Sequence, residues 1–233
     1  GTGGAPAAIA AGRAGADTIV IEFLNTMGGV QTDGRIGLYY HGNACGFTLN
    51  DVDPGCRTTG AVLAMAKAEW YRRSCREAGV RVLFGTLANG TVIDAGTLRG
   101  IVVVLPDGQR GVIRAKTVVD ATGNADIAAA AGEETEFITS GEPAVQGAGW
   151  AQHVMGNSYM NSDVGFVYDA DVADLFFFAR RAHVSMPEAA WDAGQSPASR
   201  ERRRLKGVFT VTPIDILNNR TYPDTIVRPV SNF

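Results

Sequence analysis

The sequence has few cysteines and no long apolar run. Its three cysteines, Cys45, Cys56 and Cys75, are an odd number without C-x-x-C spacing, a pattern that favours free thiols over a disulfide framework or a zinc site. No stretch approaches the roughly 18 to 20 apolar residues that a membrane span needs. A disulfide-rich scaffold, a metal site and a membrane-spanning protein are therefore not expected.

Positive charge is also in short supply. The 21 lysines and arginines are outnumbered by 24 acids, which gives a net charge of −3 and a pI near 5.6. This balance argues against the broad basic surface that nucleic-acid binding needs, so any anionic ligand must be held locally. The sequence does not identify the cellular compartment, because a targeting segment would lie ahead of residue 1. The cytoplasm is slightly favoured.

Glycine is abundant, and the chain opens on a glycine-rich turn in "GTGGAPAAIAAGRAGADTIVIE". This turn, an alanine-rich helix and a strand that ends in an acid match the dinucleotide fingerprint G-x-G-x-x-G after its first strand. The better register makes Gly1 the second glycine and Gly4 the third, with Glu22 eighteen residues later. Starting the motif at Gly1 would put Pro6 in the third place. The first strand and first glycine are therefore expected before residue 1.

This opening predicts a nucleotide cofactor. Free amides and the positive end of a helix bind a diphosphate without basic residues, which suits an acidic chain. Glu22 would accept hydrogen bonds from the ribose hydroxyls and repel a 2′-phosphate, so NADP is disfavoured. The glycines alone do not choose between FAD and NAD, and they also allow a helix that merely packs closely on a sheet.

The elements after Glu22 follow a distinctive order. A long Gly-rich loop is predicted for residues 23–58 and a helix for 58–79, with Val62, Leu63, Ala66, Trp70 and Tyr71 on one stripe. Four β-type runs, "VRVLFG", "TVIDAG", "GIVVVLPDG" and "RGVIRA", then predict a meander. "KTVVDATGNADIAAAAG" predicts a buried strand, a tight turn and a short helix, and the texture changes near residue 134.

This order resembles that of FAD-dependent oxidoreductases of the glutathione-reductase-like superfamily. In these proteins a glycine pair, here Gly28-Gly29, follows the ribose-binding acid, and a meander leads into an "ATG" turn, here Ala121-Thr122-Gly123. A closer resemblance is to the FAD-dependent oxidoreductase family with a "DATGD-x-D" stretch, which reads "DATGNAD" at 120–126, and an arginine-rich segment, here "RERRRLKGVFTVTPIDIL". The late Gly-Asp segment of that family is not visible, so truncation at both ends is expected.

The resemblance implies FAD as cofactor and an α/β fold. A Rossmann-like three-layer FAD-binding domain with a β-meander is expected over residues 1–133, and a partial substrate-side α+β region, incomplete at its C-terminus, over 134–233. The implied cofactor contacts are Gly1, Gly4, Glu22, Gly28, Gly29, Thr32, Thr122, Gly123 and Asp126.

Two residues are candidates for catalysis. His41, in "GRIGLYYHGNACGF", would bind substrate, move a proton or, like Cys45, tether the flavin; alternatively it makes only a backbone hydrogen bond. Arg203 lies in the run of arginines at 200 and 202–204, where a guanidinium would hold a substrate anion. The alternative for this run is a solvated helix face.

The expected reaction is hydride transfer between an organic small-molecule substrate and flavin N5. The alternatives are an NAD-dependent dehydrogenase, a flavin-binding subunit without its own catalysis, and a plain α/β binding module. A small-molecule substrate is the expected partner, and a homo-oligomer or a separate electron acceptor is left open.

Overall fold

The computed structural model describes residues 1–34, 46–56, 63–139, 167–168, 170–185 and 201–224. No helix in these ranges is long and apolar enough to cross a membrane. The described residues include a 3₁₀ turn at Gly29–Gln31 and a π-helical turn at Thr48–Val52. The helices are α1 Gly4–Arg13, α2 Asp53–Cys56, α3 Leu63–Glu77, α4 Asp126–Ala130, α5 Val172–Ser185 and α6 Pro213–Leu217, and the strands are β1 Ile19–Glu22, β2 Arg81–Phe84, β3 Leu87–Asp94, β4 Thr97–Val104, β5 Arg110–Arg114, β6 Thr135–Ile138 and β7 Arg202–Leu205.

A parallel strand pair lies at the centre of the fold. β1 and β2 pair from Ile19 opposite Arg81 to Glu22 opposite Phe84, and α3 lies in the crossover that parallel strands require. Helices α1 and α3 pack together on one face of the pair, where Ile9 and Cys75 are fully buried and Val20 packs against them. This is the largest apolar cluster of the described residues.

A three-stranded meander covers the opposite face. β3, β4 and β5 pair antiparallel, and Ile101 and Val103 of β4 form a second buried cluster with Ile127 of α4, against which Ile21 packs. Because neighbouring residues in a strand point to opposite faces, Val20 contacts the helices and Ile21 the meander. The Rossmann-like α/β fold expected from the sequence is thereby confirmed, with helices, parallel strands and meander as its three layers.

Two expectations about strands are wrong. The run "VRVLFG" belongs to β2 in the parallel pair, because it directly follows the crossover helix and lies beside β1; the meander has three strands, not four. Residues 116–121 do not form the buried strand expected there, since no described strand pairs with them and Val119 is 68% exposed.

The region after residue 134 is more open. β6 and β7 pair antiparallel, from Thr135 opposite Leu205 to Ile138 opposite Arg202. Arg202, Arg203 and Arg204 thus lie in a strand, and the alternative of a solvated helix face is wrong for them. Of the three phenylalanines in α5 only Phe178 is buried, while Phe176 and Phe177 are exposed. The domain boundary near residue 134 stays a prediction.

Candidate cofactor site

The start of α1 is an open helix end that suits an anion. The helix begins at Gly4 with Gly3 as N-cap, no side chain caps it, and its first turn contains no acid. The Gly4 amide donates to the Gly1 carbonyl at 3.3 Å, and Pro6 has no amide hydrogen to satisfy. The Ala7 amide donates to the Gly3 carbonyl at 3.1 Å. The amides of Gly3 and Ala5, together with the positive end of the helix dipole, are left to attract negative charge.

The glycine pair after β1 lies against this helix end. Gly28 and Gly29 have φ angles of +109° and +57°, in the left-handed region that glycine occupies without strain. A Cβ on Gly29 would lie 2.9 Å from Gly1 Cα and 3.5 Å from the Thr2 amide nitrogen. Two glycine segments that are far apart in sequence therefore form one surface of bare backbone.

The "ATG" turn forms the third side of this surface. A Cβ on Gly1 would lie 2.5 Å from the Ala121 carbonyl oxygen, and a Cβ on Gly4 would lie 3.1 Å from Ala121 Cβ. The turn continues through Thr122 to Gly123, whose φ is +86°. The structure thus brings together Gly1, Gly4 and Gly29 with the residue that precedes Thr122.

Asp120 holds the turn in shape. Its Oδ1 accepts hydrogen bonds from the Thr122 amide and hydroxyl, and its Oδ2 accepts from the amides of Ile127 and Ala128 in α4. Burial raises the pKa of this carboxyl, but the four hydrogen bonds outweigh burial, so the pKa lies below its ordinary value. Sequence reasoning gave Asp120 no role of its own, because it lies six residues before α4, whose N-cap is Ala125, and outside the position that N-cap preferences mark.

Glu22 and Thr32 have local partners in the loop after β1. Glu22 ends β1, and its Oε1 accepts from the Leu24 amide at 3.0 Å. Thr32 is only 5% exposed. Its Oγ1 lies 2.7 Å from the Met27 carbonyl oxygen, to which it donates, and 3.3 Å from that of Gly29. The Thr32 hydroxyl therefore closes the loop around the glycine pair.

Thr26 is a polar residue of this loop that sequence reasoning missed. Its Oγ1 is buried and has no hydrogen-bond partner in the part of the chain that the structure describes. Buried hydroxyls in native proteins nearly always have a hydrogen-bond partner, because burial removes them from the water that would otherwise bond to them. No sequence pattern marks Thr26, since its state depends on how the loop folds.

Of the two catalytic candidates, the structure describes Arg203 but not His41. Arg203 forms an ion pair with Asp126, 3.2 Å from Nη1 to Oδ1, which joins β7 to the first turn of α4. Its neighbours are paired too, Arg204 with Glu136 at 2.5 Å and Lys206 with Glu134 at 2.6 Å. His41 and Cys45 lie outside the described residues. Cys75 is a free thiol, as expected, and burial raises its pKa to about 11.

Residues 1–155 match the family of FAD dependent oxidoreductases. The chain belongs to this family. The family's cofactor is FAD, as the sequence predicts. No curated protein sequence matches the chain.

Two solved structures are similar to this chain at low identity. THI4 of Thermovibrio ammonificans is 20% identical, with 56% of this chain and 57% of that chain covered and a TM-score of 0.44. BexE, described for oxidation during BE-7585A biosynthesis, is 17% identical, with 65% and 36% covered and a TM-score of 0.40. The chain thus spans little more than half of THI4 and about a third of BexE.

The residues of this FAD-dependent oxidoreductase fit the ADP half of FAD. The uncapped start of α1 offers amides to a diphosphate. Any side chain at Gly1 or Gly29 would fill the space where backbone meets backbone. The buried Thr26 hydroxyl is a donor in need of an acceptor. These features suit a group that is rich in oxygen and negatively charged.

Proposed function

We propose that the chain binds FAD with the diphosphate against the start of α1 and the adenosine ribose at Glu22. One observation carries this proposal: the backbones of Gly1, Gly29 and Ala121 converge at an uncapped helix end. Backbone amides and the α1 dipole would neutralise the diphosphate, which removes the need for a basic side chain.

Glu22 would bind the ribose hydroxyls. The Leu24 amide already holds one oxygen of the carboxylate at 3.0 Å, which fixes the side chain at the end of β1. A carboxylate accepts from several donors, so it retains capacity for the two hydroxyls. Thr122, Gly123 and Asp126 would support the site from the turn beside Ala121, with Asp126 held by Arg203.

We propose hydride transfer between a small organic substrate and flavin N5 as the reaction. Bound FAD supplies the redox chemistry. The described residues bind and orient the cofactor, and the proposed proton acceptor is His41. The sequence suggested Arg203 for a substrate anion. We place it instead in the joint between β7 and α4, because its Nη1 donates to Asp126 at 3.2 Å.

Anaerobic reduction of the reconstituted protein tests this function. The chain is mixed with FAD, freed of excess cofactor, and titrated with panels of alcohols, amines and hydroxy acids while the flavin absorption band is recorded. We expect one bound FAD per chain and bleaching by one substrate class. Glu22→Gln should weaken FAD binding roughly tenfold, the lower end of the loss expected for one hydrogen bond to a charged group. Glu133→Gln is the matched control on the exposed surface.

Two results would contradict the proposal. Binding of NAD in place of FAD would favour the dehydrogenase alternative. Stable binding of FAD that no substrate class reduces would favour a flavin-binding subunit without its own catalysis.

A further inference from the structure

The loop that follows β1 contains two threonines, Thr26 and Thr32, whose hydroxyls differ in hydrogen bonding. Thr26 precedes the Gly28-Gly29 pair and Thr32 follows it. Both hydroxyls are withdrawn from solvent, but only that of Thr32 has a hydrogen-bond partner within the described ranges. The difference separates two roles for side chains of the same chemistry.

Thr32 acts inside the loop. Its hydroxyl donates to the Met27 carbonyl at 2.7 Å. Its methyl group packs on Gly28, where an added Cβ would lie 2.6 Å from Thr32 Cγ2 and 3.0 Å from the Tyr71 ring. A hydroxyl has one hydrogen to donate, and Thr32 donates it to the Met27 carbonyl within the loop. Its side chain shapes the glycine pair rather than contacting a ligand.

Thr26 has the opposite character. A buried hydroxyl without a partner costs free energy in the folded state, so its presence calls for an acceptor that another molecule brings. Thr26 lies four residues after Glu22 and three before Gly29, whose backbone contacts Gly1. Three residues of extended chain span at most about 11 Å. Along the chain Thr26 therefore lies between the proposed ribose-binding and diphosphate-binding residues, within about 11 Å of Gly29.

We infer that Thr26 is a cofactor-binding residue whose hydroxyl donates to an oxygen of the ADP half of FAD, and that Thr32 is a positioning residue that holds the same loop from within. The inference rests on the proposed function, since it requires FAD at this site. It replaces the direct cofactor contact that the sequence suggested for Thr32.

Matched valine variants of the two threonines test the inference. Thr26→Val and Thr32→Val each replace a hydroxyl by a methyl group of similar volume in one loop, and Thr26→Ser restores the donor. Each protein is unfolded in urea without cofactor, and the dissociation constants of FAD and ADP are measured by flavin fluorescence and by competition.

The two variants should differ in the free protein. Thr26→Val removes an unsatisfied donor, so the urea midpoint should stay equal or rise, while FAD and ADP should bind roughly fivefold more weakly. Thr26→Ser should bind both ligands like the wild type. Thr32→Val should lower the urea midpoint of the free protein, because the bond to Met27 is lost.

Three outcomes would overturn the inference: unchanged affinity of Thr26→Val for FAD and ADP, a lowered urea midpoint of Thr26→Val, or failure of that variant to fold. A wild-type chain that binds neither FAD nor ADP would instead overturn the proposed function. A wild type that binds both, beside an unaffected Thr26→Val, would overturn only the role of Thr26.

Discussion

Asp120 shows how much one side chain organises the candidate site. Its carboxylate accepts four hydrogen bonds, two from Thr122 and two from the first turn of α4. The carboxylate therefore fixes the turn whose neighbour Ala121 touches Gly1 and Gly4. Its negative charge also favours the start of α4 through the helix dipole.

Replacing Asp120 by asparagine should loosen this turn. Both carboxylate oxygens of Asp120 accept hydrogen bonds, so the asparagine side-chain NH₂ group would replace one acceptor by a donor. That NH₂ group would then face donors with no acceptor to bind. We expect the free energy of unfolding to fall by about 1 to 2 kcal/mol, at the lower end for hydrogen bonds to a charged group because the site is partly exposed. Urea denaturation measures the loss.

Asp107→Asn is the matched control for this change. Asp107 accepts a single bond from the Gln109 amide in an exposed turn, and an amide oxygen can keep that bond. The control should differ little from the wild type. Equal stabilities of Asp120→Asn and the wild type would contradict the organising role of Asp120.

At the scale of elements, α6 is held by its polar residue rather than by its apolar ones. Asp215 is buried, whereas Ile214, Ile216 and Leu217 are exposed. Thr212 and Asp215 form a reciprocal capping box with Pro213 at the start of the helix. Arg220 pairs with Asp215 at 3.0 Å.

This capping box makes α6 sensitive to acid. The Thr212 hydroxyl and amide and the Arg220 guanidinium lower the pKa of Asp215 from 3.8 to about 2. Because the folded pKa is depressed, the stabilisation is complete above the unfolded pKa and is lost as the pH falls from about 4 to about 2. The protection factors of the α6 amides, which correct the exchange rates for their intrinsic pH dependence and are measured by NMR, should fall over that pH range.

Asp215→Asn should remove this dependence. The neutral amide does not titrate, so the protection factors within α6 should be low at every pH in that range. Wild-type α6 amides that are equally protected at pH 4 and at pH 2 would contradict this role of Asp215.

The contact between the glycine pair and α1 is also a property of elements. Gly29 has φ +57° and its added Cβ would lie 2.9 Å from Gly1 Cα. We expect Gly29→Ala to push the loop from the helix end and to weaken FAD binding more than tenfold, roughly the effect of 1.4 kcal/mol or more. Fluorescence titration with FAD gives the affinity.

Gly96→Ala separates backbone strain from this close contact. Gly96 has φ +73° in the turn between β3 and β4, with nothing within 4 Å of an added Cβ. It should lower stability by about 1 kcal/mol and leave FAD affinity unchanged. A loss of FAD affinity in Gly96→Ala equal to that in Gly29→Ala would attribute the effect to general destabilisation.

The sequence predicted the elements whose signals are local. The small residues of α1, the β-branched run of β1 and the glycine stop after α3 each follow from neighbouring residues. The place of β2 was missed because pairing depends on a distant strand. The arginine run was misread because alternate and helical spacing are indistinguishable over four residues. Lys67, only 1% exposed on the buried side of α3, was missed because hydropathy places lysine outside.

At the scale of the whole molecule, three backbone segments from separate parts of the chain meet at one helix end. The order of the layers explains this convergence. The loop with Gly28 and Gly29 follows β1 and lies beside the start of α1, and the chain after the meander reaches the same helix end at Ala121. Motif spacing predicted the participants. Their convergence is a consequence of the fold, which no single motif contains.

An NMR titration of the ¹⁵N-labelled chain with FAD tests the central claim most directly. The account predicts that the amide signals of Gly3, Gly4, Gly28 and Gly29 shift strongly and saturate at one FAD per chain, while those of the turn at Gly96 and Gly108 do not move. Saturable FAD binding that leaves the α1 and loop amides unshifted would contradict the account.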